Sequence, residues 1–220
     1  MVNEKIPLFR KLMTRKTHIL LKTFVWIACL APLAQLVWGA FTNQLGADPT
    51  HTIAFATGLA ALRLLAISLV ITPMRMIWPK LNWLIKFRRL VGLFAFFYAT
   101  LHMLSWVFLY ANLDPAAMVA DIAKRRYVTA GMTAWVLLLP LALTSTTWAI
   151  RKLGGRNWNR LHRLVYVAVI AGIVHYWWQV KPGVITPLGM TVVVGVLLAA
   201  RPVLAWTKKR KAAVATVRAV

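Results

Sequence analysis

Three histidines stand out in a chain with few other groups able to do chemistry. His102 closes the run RRLVGLFAFFYATLH (88–102), and His162 and His175 bracket the run HRLVYVAVIAGIVH (162–175). Imidazole inside hydrocarbon hydrogen-bonds between helices, relays protons or ligates a metal. His102 and His175 each lie about thirteen residues beyond a basic cluster, roughly 20 Å along a helix axis. Two imidazoles at one depth on two helices suit the two axial positions of a haem iron, His102 on one side and His175 on the other. His162 sits one helix length lower. Near it the sequence offers Arg88 and Arg89, whose guanidinium cannot ligate iron but can pair with a haem propionate or a flavin phosphate. Thirteen positions at about 100° each place His162 and His175 on different helix faces. Accommodating both requires two cofactors of different azimuth or a local bulge. His18 and His51 read as ordinary interfacial residues.

The elements that carry these residues are long and apolar. Of 220 residues 60% are hydrophobic and 14% charged, with only four acids, Glu4, Asp48, Asp114 and Asp121. A soluble chain of this kind would expose aggregating surface, so the fold class is an all-α integral membrane protein. Six spans are expected, at 23–42, 51–72, 89–110, 130–149, 163–180 and 184–206, flanked by a basic segment over 1–22 and a basic tail over 207–220. Asn112 to Thr129 reads as the longest loop. No internal repeat is evident. Gly92, Ala171 and Gly172 leave room for a flat macrocycle or for close helix approach.

Charge placement sets the topology. The N-terminal segment carries six Lys and Arg; loops 73–89 and 150–163 and the tail after Trp206 carry five each. The alternate loops hold only Lys124, Arg125, Arg126 and Lys181, so the count is 21 against 4 and both termini are expected in the cytoplasm. Trp38, Tyr110, Trp148, Trp177, Trp178 and Trp206 fall near span ends, as interfacial aromatics do. A net charge of +23 confined to such clusters argues for lipid headgroups and against nucleic acid. The single Cys29 makes no internal disulfide, and no CxxCH string attaches a covalent haem. The chain after the sixth span is too short to bind a nucleotide.

The runs RRLVGLFAFFYATLH, ALRLLAISLVITPMR (61–75) and WNRLHRLVYVAVIAGIVHYWW (158–178) resemble the MsrQ family. These are haem-binding membrane subunits of the bacterial periplasmic methionine-sulfoxide reductase system, within the ferric-reductase-like transmembrane superfamily. The resemblance covers spans two to six. It implies a six-helix b-type cytochrome of the bacterial inner membrane, holding one or two haems and FMN. It also implies electron transfer from the quinone pool to a periplasmic molybdenum-containing subunit, its heterodimer partner, for repair of oxidised methionine. Family histidines map onto His102, His162 and His175. Oxidase relatives have a further histidine near the start of span three, where this chain has Arg88. They also carry a flavin-nucleotide domain after span six; its absence here points to a membrane quinol or a separate cytosolic flavoprotein as donor.

Arg63, near the middle of span two, is expected to face a cofactor carboxylate or phosphate inside the bundle. The outer string DIAKRRYVT (121–129) either docks an acidic partner or lies on headgroups. The combined reading is a transmembrane electron-transfer subunit without its own substrate-reducing site. Rivals are a stand-alone ferric or quinone reductase and, in another class, a proton-coupled transporter using the histidines as a relay.

Overall fold

The computed structural model describes residues 15–181, 183 and 185–218, and among these it contains helices and no strand. The expected basic segment 1–22 falls outside them as far as residue 14. Helix α1 spans Arg15–Phe41, α2 Pro49–Ile77, α3 Ile85–Ser105, α4 Pro115–Lys124, α5 Arg126–Leu143, α6 Thr147–Leu153, α7 Gly155–Leu161, α8 Leu164–Gln179 and α9 Thr186–Arg218. A 3₁₀ turn, Pro79–Leu84, joins α2 to α3, and a π turn, Trp106–Tyr110, ends α3.

Among the described residues five segments are long and apolar enough to cross a membrane: Lys16–Phe41, Pro49–Ile77, Pro79–Tyr110, Arg126–Leu143 and Thr186–Thr207. The expected fifth span, 163–180, is the helix α8, but at 16 residues it is shorter than the usual spanning length of about 20. The expected fourth span ends early. Its helix closes at Leu143 because Thr144 and Ser145 turn their hydroxyls back onto Pro140 O (2.6 Å) and Leu141 O (2.6 Å). Thr146 then caps α6 through Ala149 N (3.1 Å). The expected loop 112–129 is largely helical: Asp114 accepts from Ala116 N at 2.8 Å, Pro115 starts α4, and α5 begins at Arg126. Capping and proline at the first helical position explain that start.

Packing divides the bundle into two tight pairs, α2 with α3 and α5 with α8, bridged by contacts of α3 with α5 and of α9 with α2. The core between them gathers Leu65, Leu69, Ala95, Leu138, Ala168 and Val169. Helices α1 and α9 leave most of their apolar side chains exposed, among them Phe24, Ile27, Trp38, Val192 and Val196, as lipid-facing helices do.

Helix α1 is tied to this core through a break in its own ladder. Pro32 lacks an N–H and disturbs the surrounding turn. Tyr98 of α3, fully buried, inserts its hydroxyl there: it accepts from Leu33 N at 3.0 Å and donates to Cys29 O at 2.8 Å. An unbroken helix would join those two backbone groups to each other. Tyr98→Phe removes both bonds without changing the ring, at a cost of about 1–3 kcal/mol. The expected result is a lowered thermal midpoint for detergent-solubilised protein; an unchanged midpoint would remove this role for the hydroxyl.

Candidate functional site

The two tight helix pairs each present one histidine to a shared cavity. His102, on α3, turns Nδ1 to Ala54 O of α2 at 2.8 Å. His175, on α8, turns Nδ1 to Tyr127 O of α5 at 2.7 Å. A carbonyl only accepts, so Nδ1 carries the proton in both rings and Nε2 is the free basic nitrogen. The ring centroids stand 5.7 Å apart at an interplanar angle of 78°. The depth match expected from the sequence therefore brings these two residues together.

The cavity measures about 210 Å³. Leu62, Leu65, Leu138 and Ala168 make its walls apolar, while Arg125, Tyr127 and Gln179 add polar groups. Gly172 lines it; Gly92 and Ala171, the other small residues expected to leave room, do not. Among the described residues no group of three or more His, Cys, Asp or Glu could hold a bare metal ion. Two imidazoles suit an iron whose remaining ligands come from a macrocycle, and an apolar slot with a cation among its lining suits a flat ring bearing carboxylates. The donor set fits haem.

His162 is separate from this pair. It lies in the turn between α7 and α8, where its backbone closes α7 at φ −68° and ψ −5°. Its ring stacks on Trp158 at 3.9 Å, and Nε2 sits 3.3 Å from Thr144 Oγ1. Burial and the nearby Arg88 guanidinium push its pKa down to about 4, leaving a neutral imidazole at physiological pH. The chain is thus locally irregular at His162, one of the two arrangements that the thirteen-residue spacing left open.

Two arginines fall differently from the expectation. Arg63 is exposed on α2 and does not line the cavity, because the inward face of that turn is taken by Leu62, Leu65 and Ala66. The expectation that it faces the bundle interior is corrected. Arg201, which the sequence reading passed over, instead enters the bundle. It donates through Nη2 to Leu69 O at 2.7 Å and through Nη1 to the Tyr166 hydroxyl, and its buried Nε has no partner among the described residues. Arg88 is within electrostatic reach of Arg201, Arg75 and His162. An arginine inside an otherwise apolar terminal span was the available signal for Arg201.

Arg125 was read only as part of a docking loop, yet it lines the cavity. It pairs with Asp121 at 3.2 Å and donates to the Tyr127 hydroxyl at 3.2 Å, while Trp106 Nε1 holds the other Asp121 oxygen at 3.3 Å. Lys124 and Arg126 are exposed beside it.

Residues 57–173 match the family described as the ferric reductase like transmembrane component. Three curated relatives bear the name protein-methionine-sulfoxide reductase heme-binding subunit MsrQ. The one from Ralstonia nicotianae is 49% identical over 155 residues, 70% of this chain and 71% of the relative. That from Herminiimonas arsenicoxydans is 43% identical over 194 residues, 87% and 88% of the two chains. That from Rhodospirillum rubrum is 44% identical over 188 residues, 84% and 89%.

Because Arg63 points away from the cavity, Arg63→Leu is expected to leave bound chromophore and midpoint potential unchanged. Visible absorption and redox titration of purified protein check this, and loss of chromophore would return Arg63 to the site.

Proposed function

The chain belongs to the MsrQ family of ferric-reductase-like transmembrane proteins, and from that premise we propose that it is a haem-binding electron-transfer subunit of a methionine-sulfoxide reductase system. It is a multi-pass membrane protein of bacteria. Six spans in the inner membrane with both termini cytoplasmic complete the reading, α8 serving as the sixth. The observation that carries the function is the His102–His175 pair across one apolar cavity.

When bound there, haem b supplies a one-electron carrier. The chain's own groups do the rest. His102 and His175 offer neutral Nε2 ligands, and their Nδ1–H bonds to Ala54 O and Tyr127 O fix the tautomer and strengthen the donors. Leu62, Leu65, Leu138 and Ala168 keep water from the iron position. Arg125 is placed to meet a carboxylate of the macrocycle. Neither histidine acts as an acid or base in this scheme.

Arg88 and His162 mark the second site, for an anionic cofactor: FMN or a second haem. Among the described residues the acids Asp48, Asp114 and Asp121 all lie in the opposite connections, away from the cations Arg88, Arg75 and Arg201. Electrons enter from a membrane quinol or a cytosolic flavoprotein. They leave to a periplasmic molybdenum-containing partner that reduces methionine sulfoxide, so this subunit carries no substrate-reducing site. Exposed Lys124 and Arg126 dock that partner's acidic surface.

Oxidised and dithionite-reduced spectra of protein expressed with ample haem test the reading directly. A Soret band is expected, lost in His102→Ala and His175→Ala and retained at least in part in His162→Ala. A colourless wild type that moves protons would favour the transporter instead. Neutralising Lys124, Arg125 and Arg126 together is expected to weaken partner binding about tenfold at low ionic strength and to flatten its salt dependence. Unaltered affinity would end the docking assignment.

A further inference from the structure

The two histidine contacts are copies of one arrangement. Ala54, Gly58 and His102 recur 73 positions later as Tyr127, Gly131 and His175. In both cases 48 residues separate the accepting carbonyl from its histidine. In both, the carbonyl is one helical turn before a glycine, and that glycine lies directly under the histidine ring. A Cβ built on Gly58 would stand 3.0 Å from His102 Nδ1 and 3.1 Å from its Cε1. One built on Gly131 would stand 2.8 Å from His175 Nδ1 and 3.1 Å from its Cε1. The strings RRLV (88–91) and HRLV (162–165) extend the correspondence with a one-residue offset. Each unit is a long descending helix, a connection of short helical turns, and a returning helix that carries the histidine. Little else recurs between the two units, so the repeat is not evident from the amino-acid sequence alone.

The physical role of the glycine follows from helix geometry. The carbonyl of residue i already accepts the helix bond from residue i+4, and the side chain at i+4 shields its second lone pair. With glycine at i+4 that lone pair is open, and a ring from the neighbouring helix can reach it. The imidazole cannot retreat from an added methyl without giving up its bond to the carbonyl, because both contacts fall on the same edge of the ring.

We propose that Gly58 and Gly131 are the positioning residues of the haem site: each exposes one backbone carbonyl that aims a histidine Nε2 into the cavity. This rests on the haem reading above. Losing the Nδ1–H bond turns the ring and weakens the imidazole as a donor, which disfavours the oxidised iron.

The test compares wild type, Gly58→Ala, Gly131→Ala and Gly92→Ala as full-length protein purified in detergent. Gly92 is the control, since nothing lies within 4 Å of a Cβ there and the residue is outside the cavity. Oxidised electron paramagnetic resonance, reduced spectra and redox titration provide readouts besides activity. Gly92→Ala is expected to match wild type. Gly58→Ala is expected to shift the low-spin signal and raise the midpoint potential of the haem it retains. Gly131→Ala, with the closer approach, is expected to lose haem several-fold and convert the remainder toward high spin. A change in occupancy with an unshifted signal and potential in both variants would indicate packing alone and overturn the proposal. So would wild-type spectra and potential in both. If Gly131→Ala yields no folded protein, Gly58→Ala decides by the same criteria. A wild type without a Soret band removes the haem reading and this inference together; a normal wild type with unaltered alanine variants removes the inference only.

Discussion

Among the described residues the Asp121 carboxylate serves Trp106 and Arg125 at the cavity, and most other buried donors turn to backbone carbonyls. His102 reaches Ala54 O, His175 reaches Tyr127 O, Arg201 reaches Leu69 O, Tyr98 reaches Cys29 O and Trp158 reaches Thr144 O. The hydroxyls of Thr57, Ser68 and Ser105 do the same within their own helices. In a medium without water an unpaired polar group costs several kcal/mol. A carbonyl with two lone pairs is the acceptor every helix already supplies. A bond to a backbone carbonyl thus recurs among the contacts that hold α1, α9 and the two histidines to their neighbours.

That economy shapes the site as well as the fold. A carboxylate partner would draw more negative charge onto an imidazole than a carbonyl does, and it would itself need desolvating. The carbonyl fixes tautomer and direction with a neutral dipole. The second, cationic region is built on the opposite scheme. Arg88 lies within electrostatic reach of Arg75, Arg201 and His162, and Arg201 Nε has no partner among the described residues. In the first region each histidine Nδ1–H has its carbonyl and Arg125 has Asp121, while the second gathers arginines.

Much of this was legible in the sequence. Hydropathy located the long helices, and similar distances from the basic clusters at Arg88–Arg89 and Arg160–Arg163 placed His102 and His175 at about one level. The histidine spacing left two cofactors of different azimuth or a local bulge open, and the chain turns at His162 and Arg163. The misreadings share a cause: they depend on azimuth or on polar residues acting locally. Arg63 has the depth of a buried residue, but its helix face is outward. Thr144, Ser145 and Thr146 are tolerated in a span by hydropathy, and only their bonds to preceding carbonyls and to Ala149 N reveal that the helix stops and restarts. Arg125 was read as loop charge because the three-residue basic string Lys124–Arg126 looks solvated until α4 folds it over the cavity. Gly58 and Gly131 were invisible for a different reason, since a glycine's function there is an absence that only the neighbouring ring defines.

The length of α8 has a consequence for the lipid around it. Sixteen residues rise about 24 Å, against a hydrocarbon layer about 30 Å thick. The mismatch is met by thinning of the adjacent bilayer or by drawing the flanking turns into it. Either way His175, four residues before the helix ends at Gln179, lies only about 6 Å along the axis from that end. In the six-span reading proposed above, the short helix thus thins the insulating layer beside His175.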